Sequence, residues 1–291
     1  MVENKLQSGY INCMNKPYIF TYDGELLQLV PKDEESIKPY DSFKNKNINY
    51  EVLEGDTIGF DKIFFLNCRL QVSLSGYIAK PAGYVCFSNG ERKFDVITFK
   101  GGIIDYFYRP NHIIDESNTQ YDYNTGEATL KLKTFDETSK QIEVEVAGKK
   151  AILTLSVTLP GEPLHMQIDY NLGKPKSIFR LTFHEPVDVS EFRTIYIWIY
   201  NLMVFLNFRK DISMGKIELG KTNEEKRIEH IGYIYLNEKE KNDISNIDRI
   251  IGYYFVFEHI NELLQIVNKE DLNLLFIPRC EKAISKRRKS F

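Results

Sequence analysis

Cysteine, tryptophan and histidine are scarce in this chain, with four, one and five copies among 291 residues. Cys13, Cys68, Cys86 and Cys280 stand far apart with no CxxC pair, so the spacing signals neither a zinc site nor a disulfide framework. They read as buried free thiols of a protein kept in a reducing, cytoplasmic compartment. His112, His165, His184, His230 and His259 lack HxH and HExxH spacing, which removes sequence support for a metal site. GxSxG, a Cys-His arrangement, the kinase set, GxxxxGK[ST] and GxGxxG are missing as well, so no standard catalytic or phosphate-loop chemistry is signed here. The densest apolar run, Ile195 to Leu206, is 12 residues long, against the roughly 17 to 25 that a membrane span requires. The opening residues MVENKLQSGY contain no apolar stretch of the signal-peptide kind. These absences predict a cytoplasmic protein with no cofactor and no membrane partner. A formal net charge of −3 adds no global argument for nucleic acid.

What the chain does have is aromatics, 18 Tyr and 19 Phe, set in short runs between Gly and Pro, a pattern that favours strands. The organising stretch runs from Ser177 to Leu219 and reads as strand, capped helix, strand. Ile178 to Phe183 alternates with the period of a strand packed on one face, and Pro186 is expected to stop it. Asp188 precedes Glu191 by three residues, the spacing of a capping box. From Val189 to about Phe208, Phe192, Ile195, Tyr196, Ile199, Leu202, Met203 and Leu206 recur at helical spacing on one face. Ile197, Trp198, Tyr200, Val204 and Phe205 make the rest apolar too, which predicts a helix covered on several sides.

Elsewhere the patterning is mostly β. Tyr18 to Phe20 and Leu26 to Val30 flank an Asp23-Gly24 turn and form a hairpin, followed by a polar loop from Lys32 to Asn49. Strands are expected at Glu51 to Phe60, Ile63 to Ser75, Tyr77 to Ala79, Tyr84 to Phe87 and Phe94 to Lys100, a turn spacing typical of a sandwich or barrel. Glu127 to Phe135, Gln141 to Val146 and Ala151 to Leu159 alternate cleanly, with Ala147 to Lys150 as turn and Lys131, Lys133, Glu143 and Glu145 placed for cross-strand pairing. Further strands are read at Leu164 to Tyr170, Lys216 to Leu219, Arg227 to Leu236 and, buried, Ile250 to Phe257. A short amphipathic helix then carries Ile260, Leu263, Leu264 and Val267 and ends at Asn268. The resulting fold class is mainly β with a few helices (α+β): a large antiparallel, sandwich-like domain over residues 1–276 with one buried helix and a short helical end. Two packed β subdomains divided near residue 175 are the alternative within that span, and residues 277–291 form a basic tail.

Three places bear on chemistry. Asp105, Arg109 and His112 lie among aromatics after Gly101-Gly102; they suit a small-ligand or nucleotide pocket, since Arg pairs with phosphate and tyrosines stack bases, or else they are the polar exit of a core strand. The glycine pair is read as a tight turn or bulge. His184-Glu185, where the strand meets the helix start, suits anion binding or acid-base work, against the plainer reading of a half-exposed strand end. Lys282, Lys286, Arg287, Arg288 and Lys289 put five positive charges into eight residues, fit for RNA, for another domain, or as a hinge passing the state of the domain to a neighbouring one.

The pattern Thr182-Phe183, Glu185-Pro186, Val189-Ser190-Glu191 opening a helix, Leu202 to Leu206 inside it and a strand from Lys216 to Leu219 resembles the N-terminal domain of ApeA-like bacterial antiphage proteins. The likeness extends over the β-rich half and the Phe257 to Pro278 segment. Members join a β-rich N-terminal domain to a C-terminal HEPN ribonuclease domain. The resemblance implies a non-catalytic sensing or regulatory module of antiviral defence, with a HEPN nuclease domain or subunit, a phage protein or RNA, and a second copy of the chain as candidate partners. HEPN nucleases use an Arg followed four to six residues later by a His on a helix, the RxxxxH type, and no such helical pair is expected here: Arg227 precedes His230 by three residues and Arg249 precedes His259 by ten. The rival expectation is a stand-alone enzyme or binding protein for carbohydrate or nucleotide, with carboxylates from Asp105 or Asp115-Glu116. A scaffold that dimerises through exposed aromatics is a third.

Overall fold

The structure is a computed structural model that describes residues 7–32, 48–59, 61–87, 92–118, 120–129, 131–158, 174–208, 212–236 and 251–269. The expected Leu164 to Tyr170 strand, most of the Lys32 to Asn49 loop and the basic tail lie outside them. The fold is mainly β with a few helices. In chain order the strands are β1 (Gln7–Cys13), β2 (Lys16–Tyr22), β3 (Leu27–Pro31), β4 (Ile48–Thr57), β5 (Lys62–Ser73), β6 (Gly76–Ala79), β7 (Gly83–Phe87) and β8 (Lys93–Lys100). They continue with two-residue strands β9 (Gln120–Tyr121) and β10 (Ala128–Thr129), then β11 (Lys140–Val146), β12 (Lys149–Thr158), β13 (Lys176–Asp188), β14 (Lys216–Thr222) and β15 (Ile228–Leu236). The helices are α1 (Ile104–Phe107), α2 (Phe135–Thr138), α3 (Phe192–Asn207), α4 (Tyr253–Val256) and α5 (Ile260–Val267).

Two compact units interleave along the chain. One gathers Met1–Phe94, Val187–Arg193 and Glu218–Lys239, the other Asp95–Pro186, Thr194–Ile217 and Glu240–Phe291. In the first, β5, β4, β1, β2, β3 and β6 close into a six-stranded antiparallel barrel. Closure works because one edge of β5 changes partner: Lys62 to Leu66 pair with β7, Gln71 to Ser73 with β6. Asn67, at φ 53, sits between the two pairings, and Asn is among the few residues that accept this left-handed conformation. Alternation sends Tyr18, Phe20, Tyr22, Leu27, Leu29, Phe65 and Leu70 inward, all nearly inaccessible to solvent. Edge-to-face rings fill the middle, with Phe20 and Tyr22 at 5.4 and 5.2 Å from Phe65. β15 extends this unit by pairing with β7.

In the second unit β11, β12, β13 and β8 are neighbours in that order. The β11–β12 hairpin turns at Ala147 and Gly148, both at positive φ (53 and 76), the tight turn whose twist matches the strands. α3 buries Ile195, Ile199, Leu202, Met203, Val204 and Leu206. Its covering is not complete, since Ile197 remains 40% exposed.

Several local expectations are corrected. Pro186 does not stop β13, which runs on to Asp188. Proline lacks only the donor and is tolerated where its amide position needs no ladder bond. Asp188 caps the one-turn 3-10 start of the helix by accepting from the Ser190 amide at 2.9 Å, and from its hydroxyl, so the amide engaged is one residue earlier than a capping box takes. Burial raises the Asp188 carboxyl, but the Ser190 amide and the Arg92 guanidinium, 2.8 Å away, hold it below the usual carboxylate range. Glu127 to Phe135 is not one strand: only β10 and an isolated bridge from Leu132 to Ile114 form. Thr134 and Glu137 make a reciprocal capping box that turns the chain into α2 instead. Lys131 meets Asp115, and Glu145 faces Lys150 across the hairpin. Ile104–Phe107 forms α1, with Ile103 and Tyr108 as its caps, rather than a core strand, and the aromatics at Tyr253 to Phe255 are helical, with Tyr254 and Phe255 exposed, not a buried strand.

Candidate ligand-binding site

Gly101 and Gly102, at φ 71 and 59, make the tight turn that starts the site. The Gly101 amide donates to Ser177 O and the Ile103 amide to Ser213 O, while a Cβ on Gly102 would come within 2.5 Å of that same Ser213 oxygen. The turn is structural and launches the single turn of α1. Pro110 then keeps Arg109 extended (ψ 135), which ends the helical run before a 3-10 turn at Pro110–Ile113.

This path leaves a cleft of about 210 Å³. Tyr106, Phe107, Arg109, Asn111 and His112 form one side and Gly252, Tyr253 and Tyr254 the other. Tyr108, which stands between the lining residues Phe107 and Arg109 in the chain, is anchored at both ends: its hydroxyl donates to Thr138 O and its carbonyl accepts from Ser177 Oγ. The imidazole of His112 stacks on Tyr108 at 4.5 Å, and Tyr253 presents its edge to both, at 4.6 Å from Tyr108 and 5.1 Å from His112. The three rings therefore fix one another. Burial pushes the His112 imidazole below its ordinary pKa, and Lys133, Arg109 and Lys140 push it further down. Arg109, Lys133 and Lys140 have no ion-pair partner among the described residues. The cleft is thus a cationic spot walled by tyrosines, in a chain that is acidic overall.

Of the residues singled out from the sequence, Arg109 and His112 come together here. Asp105 does not join them: its carboxylate accepts the Ser177 amide at 2.7 Å, and burial holds it above the usual range despite that bond and nearby Lys176. His184 and Glu185 are exposed within β13, not at the helix start, where Asp188 already takes the Ser190 amide. Arg180 precedes His184 by four residues, but both are on this strand; the guanidinium donates to Thr98 and lies over the Phe135 ring. Asp115 is spent on Ser117 Oγ and Lys131. Lys282, Lys286, Arg287, Arg288 and Lys289 fall outside the described residues. Tyr253 and Tyr254 are the residues that sequence reasoning missed. The signal was the spacing of Tyr253, Phe257, Ile260 and Leu264, which carries the α5 period back to Tyr253.

Among the described residues no group of three or more His, Cys, Asp or Glu side chains could hold a metal ion, and no helix is long and apolar enough to cross a membrane. Cys13 and Cys68 are free and buried, which pushes their thiols up to about 11 and about 12. No family model, no curated protein and no solved structure matches this chain.

Proposed function

We propose that this chain is a non-catalytic sensing or regulatory module of a bacterial antiphage defence protein, which controls a HEPN ribonuclease domain or subunit and reads its trigger as an anion at the Arg109–His112 cleft. The observation that carries the ligand-sensing part is the cluster of cations without ion-pair partners among the described residues, beside a cleft whose two sides come from segments far apart in sequence. A small anion supplies the missing counter-charge and ties the two segments together. The cleft offers a guanidinium, an imidazole, an amide and phenols, and its lining includes no carboxylate. Such a set suits holding a ligand better than cleaving one, which needs a nucleophile and a base in mutual hydrogen-bond reach. The defence assignment rests on the resemblance of the Thr182 to Leu219 pattern.

The second side of the cleft leads onward through the helices. The Ile251 amide donates to Leu206 O at the end of α3, and α4 runs through a 3-10 turn into α5. Asn268, which closes α5, holds α3 through the Asn201 amide at 2.9 Å and the Trp198 carbonyl at 3.2 Å. Occupation of the cleft therefore biases the seating of α4 and α5, which is the element a sensor needs to transmit its state.

Two measurements test the proposal. Bacteria carrying the gene with its natural neighbours are challenged with phage; protection is expected, and Arg109→Ala should abolish it, whereas protection unaffected by the change overturns the assignment of the cleft. Purified protein is also incubated with single-stranded RNA, tRNA and chromogenic glycosides. No turnover is expected, and turnover that survives purification but disappears in His112→Ala or His184→Ala replaces this reading by the enzyme one.

A further inference from the structure

Resting on the reading of the cleft as an anion site, we infer that its ligand is a single nucleoside monophosphate unit, bound with its phosphate at Arg109 and His112 and its base against Tyr254, and that binding takes up a proton on His112.

The phosphate end follows from donor chemistry. Arg109 brings a planar fork suited to two phosphate oxygens, Asn111 brings an amide, and a protonated His112 adds a ring N–H. Lys133 and Lys140 lie close enough to act on His112 and supply the longer-range field that a dianion satisfies. The base end follows from exposure. Tyr254 lines the cleft, is 68% exposed, and meets Tyr253 edge-on at an interplanar angle of 89°. It is an aromatic ring beside a cationic cleft, the combination by which proteins stack bases without reading their sequence. Size limits the ligand. At about 210 Å³ the cleft falls below the usual range for drug-sized molecules, so a phosphate and its sugar fill it while the base rests on the exposed ring.

The proton follows from what surrounds His112. Tyr108 stacks on it with its hydroxyl committed to Thr138, Tyr253 meets it edge-on, and the charged groups acting on it are Arg109 before it, Lys133 from the segment leading into α2 and Lys140 from β11. All are neutral or positive. These surroundings therefore disfavour the imidazolium, and the unfolded chain binds this proton more readily, so His112 lowers stability as pH falls through the ordinary imidazole range. A bound phosphate reverses the local field and restores the proton. Affinity must then rise as pH falls towards about 7, where the phosphate is still mostly dianionic, because proton and ligand favour each other's binding.

Isothermal titration of the purified chain with AMP, UMP, adenosine and inorganic phosphate, at about pH 8 and about pH 7, where the phosphate monoester stays mostly dianionic, tests this directly. AMP and UMP are each expected to bind at least about tenfold more tightly than phosphate or adenosine. Arg109→Ala should weaken both nucleotides about tenfold or more with an unchanged melting temperature, because this side chain is exposed. Tyr254→Ala should weaken the nucleotides and leave phosphate unaffected. Affinity should increase at the lower pH, and His112→Gln should flatten that dependence. A parallel titration with 5′-phosphorylated and unphosphorylated oligoribonucleotides distinguishes the sources: tight binding of the phosphorylated form alone assigns the unit to an RNA end, and preference for AMP or UMP assigns it to a free nucleotide. Phosphate binding as tightly as AMP overturns the nucleotide while leaving the anion cleft standing. A pH-independent affinity overturns the proton uptake, and absence of binding by every probe overturns the cleft itself.

Discussion

The barrel unit and the helix-bearing unit use the same ingredients, antiparallel strands rich in aromatics, and leave their rings in different situations. In the barrel, closure turns one face of every strand inward, and Phe20, Tyr22 and Phe65, with Tyr84 of the adjoining β7, consume one another's surfaces. In the other unit the sheet is open, short helices come from distant parts of the chain, and Tyr253 and Tyr254 end at the rim of a cleft. A closed sheet satisfies its edges and fills its interior with its own side chains. An open one must be covered, and the seams of that cover are where side chains keep unspent capacity. This is why the candidate site is found in the helix-bearing unit, although the barrel is just as rich in aromatics.

The largest expected effects compare the two cores directly. Phe65→Ala should destabilise the protein by about 3 to 5 kcal/mol, and Leu202→Ala by about 2 to 5 kcal/mol, since both side chains are fully buried. Urea-induced unfolding measures each. A loss under about 0.5 kcal/mol at Leu202 would show α3 to be a surface helix, and the contrast between a self-filled barrel and a helix-covered sheet would fail.

A smaller effect is expected at the edge of the open sheet. Asn261 and Gln265, one helical turn apart on α5, take the outward amide and carbonyl of Glu145 at 2.8 and 2.7 Å, much as a neighbouring strand would. Replacing both by alanine should cost about 1 kcal/mol and speed hydrogen exchange at the Glu145 amide, while barrel amides keep their rates. Unchanged exchange at Glu145 would mean that α5 does not guard this edge.

The smallest effect sharpens the comparison at one carboxyl. Burial raises the Asp105 pKa in the folded chain, so the native state holds its proton more firmly than the unfolded one. The stabilising contribution is complete below the unfolded value and is lost as pH rises through the folded one. Asp105→Asn keeps an acceptor for the Ser177 amide and removes that slope. Melting temperatures across the acid range should therefore converge at the lowest pH, with the variant relatively more stable as pH rises; parallel curves would place Asp105 in a more solvated setting.

Half of the candidate site was legible and half was not, for a physical reason. Arg109 and His112 stand three residues apart after a glycine pair, a local arrangement that any reading of the chain can notice. Asp105 stands in the same cluster, yet the Ser177 amide claims it, a partner 72 residues away. The opposite side of the cleft, at Tyr253 and Tyr254, was hidden because a dense aromatic run satisfies strand and helix propensity alike. The Thr134 to Glu137 capping box shows the converse: a local signal was present and a neighbouring alternation masked it.

The sequence by itself determined what depends on near neighbours: the β class from period-2 alternation, the turns at Asp23-Gly24 and Ala147-Gly148, the long buried helix from its broad apolar face, and the end of α5 at Asn268. Tertiary structure alone decided which edge of β5 turns to β6 and closes the barrel, that Pro186 lies within a strand, and that the Arg109 and Tyr254 segments face each other across a cleft. Those outcomes are set by pairings between residues far apart in the chain, and no local propensity or period encodes which distant partner a strand edge or a ring will meet.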